Sequence, residues 1–350
     1  MPEHHAPSEL VTTPALNRRV GGLRLPLAKE VGPADEALPP KTAILLPCLN
    51  EAATIGKVVA DFRAALPGAR IYVFDNGSTD STREAARAAG AELRSEARRG
   101  KGNVVRRMFA DVEADFYLLA DGDDTYDASL APLIVGRMAA EGLDFLNVAR
   151  RSLSEAAFRP GHRFGNFVLS QAVQSIFGRD SADMLSGYKG FSRRYVKSFP
   201  ATSSGFETET ELTVHALELR MPMAEIDAPY RERPAGSASK LNTVRDGLRI
   251  LTLIARLIKD ERPRMTFVAL GLVFMIAAAL LGGPVVGEYL RTGLVPRLPT
   301  AVLASGLTGI GALGFVTGLI LDVVTKARQE TKRLAYLRVP RFEPDAEPAP

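Results

Sequence analysis

The chain has 350 residues, 46% hydrophobic and 24% charged, enough to bury one large core or two smaller ones and to leave room for a membrane part. A formal charge of +4 is mild, and the basic residues gather around the apolar C-terminal segments, which suits a membrane surface and argues against nucleic acid as a partner. The single cysteine, Cys48, excludes an internal disulfide and any multi-cysteine zinc site; with no basic patch and apolar run at the N-terminus, no cleaved export signal is expected.

Residues 1–40 mix Pro, Gly and charge without apolar periodicity and read as a mobile tail. From Thr42 the texture changes. Strands are predicted at Thr42 to Leu46, Arg70 to Phe74, Glu92 to Arg94 and Phe116 to Leu119, and helices at Ile55 to Leu66, Thr82 to Ala89 and Val104 to Val112. Such alternation over short connections implies an α/β fold, a mostly parallel sheet with helices on both faces. Ligands of such sheets bind beyond the carboxyl ends of the strands, at the topological switch point. Three of these ends carry polar signatures: Pro47-Cys48-Leu49-Asn50-Glu51, Asp75-Asn76-Gly77-Ser78-Thr79-Asp80 and Asp121-Gly122-Asp123-Asp124.

A strand ending in Asp-x-Asp presents carboxylate oxygens to one hard divalent cation, and such a cation commonly bridges the diphosphate of a bound nucleotide. Asp124 is an extra acid, read as a helix initiator. Lys101, between Gly100 and Gly102, puts a positive charge ahead of a helix N-terminus, where anions are stabilised, and is expected to face phosphate. Another strand-like run, Phe145 to Val148, ends in Arg150 and Arg151. His162 and His215 lack clustered partners for a metal, and no Gly-x-Gly-x-x-Gly fingerprint suggests a redox enzyme.

Toward the C-terminus, residues 266–286 and 300–321 are free of charge, each about long enough to cross a ~30 Å hydrocarbon core as a helix, and residues 265–325 are expected to form a two-span membrane hairpin. Arg256, Lys259, Arg262 and Arg264 precede the first span, and Lys326, Arg328, Lys332 and Arg333 follow the second. The basic-inside bias places both flanks and both termini in the cytoplasm, as in a multi-pass protein of the cell (inner) membrane. Gly306, Gly309, Gly311 and Gly314 let the second span pack against another helix, a homo-oligomer partner included. Residues 241–262 read as an amphipathic helix, either lying in the membrane interface or covering the sheet. Arg231, Arg233, Ser237 and Lys240 come directly before it and are placed to grip a phosphate at the membrane surface; residues 326–350 read as a basic, then Pro-rich, cytoplasmic tail.

Six motifs in order carry a resemblance: Leu46-Pro47-Cys48-Leu49-Asn50-Glu51, Asp75 to Asp80, Gly100-Lys101-Gly102-Asn103, Asp121-Gly122-Asp123, Ser186-Gly187-Tyr188-Lys189 and Arg233-Pro234-Ala235-Gly236-Ser237-Ala238-Ser239-Lys240. From about Thr42 to Asp246 the chain resembles the GT-A fold glycosyltransferases of family 2, particularly the polyprenyl-phosphate glycosyltransferases related to dolichol-phosphate mannosyltransferase. The resemblance implies a GT-A, Rossmann-like nucleotide-sugar-binding domain over residues 41–240, followed by the interfacial helix and the transmembrane hairpin. It further implies an inverting, metal-dependent transfer of a sugar from a nucleoside-diphosphate sugar to a polyprenyl (undecaprenyl or dolichyl) phosphate.

By the same resemblance, Pro47, Leu49, Glu51 and Asp75 form the pocket for base and ribose, while Lys101, Asp121, Gly122 and Asp123 hold the diphosphate, with Asp121 and Asp123 as ligands of Mg²⁺ or Mn²⁺ and catalytic residues. Arg151 is implied as a catalytic arginine, and Arg151, Arg163, Arg233, Ser237 and Lys240 as contacts of the acceptor phosphate. Asp183 and Ser186-Gly187-Tyr188 would shape the sugar side, and Glu207 or Glu209 would lie near the acceptor. Asn76 departs from a family that often has a second acid there. Two other readings stay open: transfer to another lipid or glycan hydroxyl, with Glu207 or Glu209 as base, and a catalytically silent scaffold that binds nucleotide sugar. A processive polysaccharide synthase is disfavoured, because its Gln-x-x-Arg-Trp motif is absent from a chain without tryptophan.

Overall fold

The computed structural model describes residues 40–152, 183–205, 207–230 and 258–343, with isolated positions 171, 174, 252, 255 and 256. The predicted N-terminal tail, most of the predicted amphipathic helix, and Arg163, Arg231, Arg233, Ser237 and Lys240 lie outside the described residues.

Among the described residues seven strands form one sheet: β1 (Thr42–Cys48), β2 (Arg70–Asp75), β3 (Glu92–Ser95), β4 (Phe116–Leu119), β5 (Phe145–Ser152), β6 (Lys189–Ser192) and β7 (Met223–Tyr230), in the order β3-β2-β1-β4-β6-β5-β7. The first four are parallel, as the alternation predicts, and β7 is parallel to β5. Between β4 and β5, however, β6 runs antiparallel to both, so the sheet is mixed. Because of that reversal β6 starts, rather than ends, at the carboxyl ends of its neighbours. Ser186, Gly187 and Tyr188, just before it, are thereby delivered to the edge where β1, β2 and β4 end.

Alternation along the strands feeds two cores. From β1, Ile44, Leu46 and Cys48 face a layer made by α1 (Ile55–Ala65), α2 (Thr82–Ala88) and α4 (Ala131–Glu141). Ala43 and Leu45 face the opposite layer, made by α3 (Lys101–Asp111), α5 (Arg193–Ser198) and α6 (Thr208–Glu218). Helix α3 starts earlier than its apolar pattern predicts, so Lys101 lies in its first turn rather than ahead of it.

His215 sits inside the second core, edge-on to Tyr195 and Phe199, with Nε2 3.0 Å from Ser198 Oγ and Nδ1 without a hydrogen-bond partner among the described residues. Burial, with Lys332 as a second cause, pushes its pKa down to about 3. Unfolded, the imidazole titrates near pH ~6.5. Its contribution to stability is therefore complete above that pH and lost as pH falls toward about 3, by up to about 1.4 kcal/mol per pH unit. Denaturant titrations of wild type and His215→Gln between pH 4 and 7 should show this acid-side loss in the wild type and a flatter curve in the variant.

Two long helices complete the chain, α7 (Pro263–Thr292) and α8 (Leu298–Leu337), with 30 and 40 residues, about 45 and 60 Å at 1.5 Å per residue. Both are long and apolar enough to cross a membrane. They pack at glycines: a Cβ on Gly271 would come 2.8 Å from the Gly311 carbonyl oxygen, and one on Gly314 would come 3.1 Å from Gly271 Cα. Leu272, Val273, Ile276, Leu313, Val316 and Leu319 point outward and are exposed.

Within the expected cytoplasmic tail, residues 326–350, α8 continues as far as Leu337 and is docked. Lys332 Nζ lies 2.5 Å from Glu218 Oε2, a carboxylate with a 1% exposed side chain. Tyr336 donates its hydroxyl to Asp144 at 2.7 Å, Arg194 grips the same carboxylate at 2.5 and 2.7 Å, and Phe342 packs edge-on against Phe116. These contacts fasten the end of α8 to the edge of the sheet where β4 and β5 begin.

Candidate active site

Pro47, Leu49, Glu51, Asp75, Lys101, Asp121, Gly122 and Asp123 all converge on the edge where β1, β2 and β4 end, across the β1/β4 switch in strand order. The two loops nearest β1 and β2 are laced together. Asn50, at φ 56°, accepts from Thr79 N at 2.8 Å and donates its own N–H to Ser78 Oγ at 2.9 Å. Glu51 donates its N–H to Thr82 Oγ1 at 2.9 Å.

Asp75 is 1% exposed; its carboxylate accepts from Gly77 N and Ser78 N and lies 3.0 Å from Arg83 Nε. It thus shapes the turn that would face a base and ribose, and Arg83, which the sequence reading does not single out, braces it. Asn76, where a second acid is common in the resembling family, has a clear structural use. Its amide nitrogen donates to Glu96 O and Arg98 O at 3.0 and 2.8 Å, and its oxygen accepts from Gly100 N at 2.7 Å. An uncharged side chain with both donor and acceptor is what suspends the loop leading into Lys101.

The glycines around Lys101 admit the chain itself. Gly100 has φ 124°, and a Cβ there would fall 2.1 Å from Ser204 O; on Gly102 it would fall 2.2 Å from Ser203 O. The 201–204 segment is held down by Arg106, which donates to Ala201 O at 2.9 and 2.7 Å, and by Glu211, which accepts from Thr202 N and Ser203 N at 2.9 Å. Gly102→Ala should therefore destabilise the fold by about 1–3 kcal/mol, read as a lower denaturation midpoint, since a backbone carbonyl must move.

At the centre, Lys101 Nζ lies 2.5 Å from Asp121 Oδ1 and 2.7 Å from Glu209 Oε1. Burial alone would lower this ammonium's pKa, but Asp121 and Glu209 outweigh it and hold the pKa above its ordinary value. Glu209, one of the two acids expected near the acceptor, is 6% exposed and bound to Lys101. On the other side of Asp121, Gly187 approaches so closely that a Cβ would fall 2.3 Å from Oδ2, and its N–H donates to Tyr126 Oη at 2.7 Å. Asp123 is 2% exposed and accepts from the Thr125 hydroxyl at 2.6 Å. Asp124 initiates no helix: it has φ 60° and pairs with Lys57 at 2.8 Å.

Cys48 acts as a gauge of this edge. Burial first, then the charges of Glu51, Asp121, Asp75 and Asp123, push its thiol well above the ordinary range. It is inert as a nucleophile at neutral pH. The same carboxylates repel a diphosphate unless a cation intervenes. Among the described residues no three His, Cys, Asp or Glu side chains gather into a closed metal site. Asp121 and Asp123, two carboxylates two residues apart at a strand end, are a donor set of the kind Mg²⁺ or Mn²⁺ takes, since small hard cations use one or two protein carboxylates and complete their shell with waters and substrate phosphates.

Arg150 is committed: Nε and one terminal nitrogen donate to Asp183 at 2.6 and 2.9 Å. Burial would raise the Asp183 carboxyl, but Arg150 holds it below the usual carboxylate range. Asp183, expected on the sugar side, serves as this clamp. The backbone of Arg151 lies in β5 opposite Pro229 of β7, and its side chain lies outside the described residues.

This geometry coincides with a family match: the model for "Glycosyl transferase family 2" covers residues 43–199. Glycosyltransferase AglJ from Haloferax volcanii is 33% identical over 307 residues, 85% of this chain and 99% of that protein. The chain belongs to glycosyl transferase family 2. This glycosyltransferase is also similar to a dolichyl-phosphate hexose transferase from Haloferax volcanii, 26% identical over 64% of this chain and 96% of that one. The glycosyltransferase also shares its fold with glucosyl-3-phosphoglycerate synthase from Mycobacterium tuberculosis, crystallised with Mn²⁺, uridine-diphosphate-glucose and glycerol 3-phosphate. That likeness has a TM-score of 0.52 and 24% identity over 63% of this chain and 79% of that one.

Proposed function

We propose that this glycosyltransferase moves a sugar from a nucleoside-diphosphate sugar to the phosphate of a polyprenyl phosphate, at the cytoplasmic face of a membrane that α7 and α8 span. The observation that carries the reading is the union in one chain of a carboxylate-rich strand-end site with two helices long and apolar enough to cross a membrane. The likeness to a dolichyl-phosphate hexose transferase along 96% of that protein's length supports a lipid phosphate as acceptor.

Asp121 and Asp123 are the residues assigned to hold Mg²⁺ or Mn²⁺, which when bound neutralises charge on the departing diphosphate. Lys101 stays an ammonium at neutral pH and supplies a fixed positive charge beside it. Pro47, Leu49, Glu51 and the turn built on Asp75 are assigned to base and ribose. Arg151, Arg163, Arg233, Ser237 and Lys240 are assigned to the acceptor phosphate, arginines there suiting bidentate contacts.

A phosphate monoester is an anion near neutral pH and needs no base. Its oxygen attacks the anomeric carbon in line, the bond from that carbon to the diphosphate oxygen breaks, and the electron pair leaves with the nucleoside diphosphate, inverting the configuration. A hydroxyl acceptor would need a general base. Glu209, committed to Lys101, is poorly disposed to that role. Offering the purified protein polyprenyl phosphate and polyprenol in competition tests the distinction: glycosylation of the phosphate alone is expected, and glycosylation of the alcohol would overturn the reading. Chelating the divalent cation with EDTA should abolish turnover, and Mg²⁺ or Mn²⁺ should restore it.

A further inference from the structure

Lys189 is the first residue of β6 and is fully buried, yet among the described residues its ammonium touches no carboxylate. It donates to Asn147 Oδ1 at 2.7 Å, Thr213 Oγ1 at 3.3 Å and Met184 O at 3.4 Å, and lies 5.4 Å from the centre of the Phe145 ring. Desolvation pushes its pKa down to about 8, against the nearby charges of Asp183, Glu209 and Glu225. A buried cation held by neutral oxygens is costly, and an apolar side chain would fill the same volume more cheaply.

What the three hydrogen bonds join is specific. Asn147 also donates to Asp183 O at 2.9 Å and to Glu225 Oε2 at 2.8 Å, so Lys189 fixes the start of the 183–187 segment to β5 and β7. That segment ends at Gly187, against one oxygen of Asp121. Thr213 in turn donates to Glu209 O at 3.3 Å, one turn back in α6, and Glu209 holds Lys101 against the other oxygen of Asp121. Both neighbours of the Asp121 carboxylate are therefore anchored on one ammonium.

The geometry points to Lys189 as a positioning residue of the donor site, which sets the orientation of Asp121 by pinning the Gly187 segment and the first turn of α6 to a common point. The inference rests on Asp121 as a metal and diphosphate ligand. It assigns a use within that site to a residue that itself touches neither.

The test uses the full chain in detergent, with Mn²⁺ affinity read by electron paramagnetic resonance in the presence of inorganic pyrophosphate, and donor KM and kcat measured alongside. Lys189→Met, assayed well below its melting temperature, is expected to weaken Mn²⁺ binding by about tenfold or more and to shift KM with it, as loss of an outer-shell partner does. Lys189→Arg should recover part of the affinity, and Thr213→Val, which cuts only the link to α6, should show a smaller loss in the same direction. A folded Lys189→Met with a lowered melting temperature but wild-type Mn²⁺ affinity and KM would overturn the inference. Should Lys189→Met not fold, wild-type Mn²⁺ affinity in Thr213→Val would do so. Asp121→Ala separates the two levels: if it retains wild-type affinity, the metal assignment falls and the inference with it, whereas loss in Asp121→Ala without loss in the Lys189 and Thr213 variants removes the inference alone.

Discussion

Asp123→Asn is expected to lower sugar transfer by about a hundredfold to a thousandfold while leaving the melting temperature close to that of the wild type. The fold should tolerate the change because the amide oxygen still accepts from the Thr125 hydroxyl, as the carboxylate does at 2.6 Å. What is lost is a charge, 2% exposed, at the end of a strand where Glu51, Asp75 and Asp121 already gather. An amide is a weak ligand for a hard cation, so Mn²⁺ affinity should fall in parallel with turnover. Unchanged turnover in a well-folded Asp123→Asn would remove the Asp-x-Asp pair from the chemistry.

Lys101→Met is expected to damage stability and transfer together. The substitution strands Asp121 and Glu209 near each other without a cation, and Glu209 already has one buried oxygen, Oε2, with no hydrogen-bond partner. Removing one member of a buried ion pair costs about 3–5 kcal/mol, most of it from the charge left behind. The double variant Lys101→Met/Glu209→Met should regain much of that stability, because the buried charge leaves with its partner. Transfer should not return, since the positive charge beside the diphosphate is still missing. Denaturant midpoints of the two variants, with donor turnover, check both statements; a double variant as active as wild type would show that Lys101 has only a structural use.

Much of this site is legible in the sequence for a definite reason. The ends of β1, β2 and β4 are each short polar signatures following apolar runs, and a parallel sheet must bring such ends to one edge. What the sequence hides is how those side chains are spent on one another. Glu209 and Asp183 have the composition of substrate contacts, but Lys101 and Arg150, far away in the chain, claim them. No periodicity encodes such a pairing.

Strand β6 is hidden for a different reason: Lys189-Gly190-Phe191-Ser192 has neither an apolar run nor alternation, because all four residues are buried inside a sheet covered on both faces. Gly190 is needed there, since a Cβ would fall 2.6 Å from Met138 Sδ. The two long helices run on beyond the apolar spans that hydropathy marks. Apolar runs mark what a bilayer can hold, whereas α8 continues to Leu337 because Lys332 and Tyr336 find partners in Glu218 and Asp144. That Gly100 and Gly102 admit the backbone of Ser203 and Ser204 is likewise invisible in the sequence.

The most direct measurement is the mass of the lipid product formed when the purified full chain, in detergent or vesicles, is incubated with Mg²⁺, polyprenyl phosphate and each of a panel of nucleotide sugars. One donor should yield a polyprenyl-phosphate sugar together with stoichiometric nucleoside diphosphate, with the anomeric configuration inverted. A sugar carried elsewhere than on the phosphate, a product with retained configuration, or no product from any donor that binds would contradict the proposed reaction.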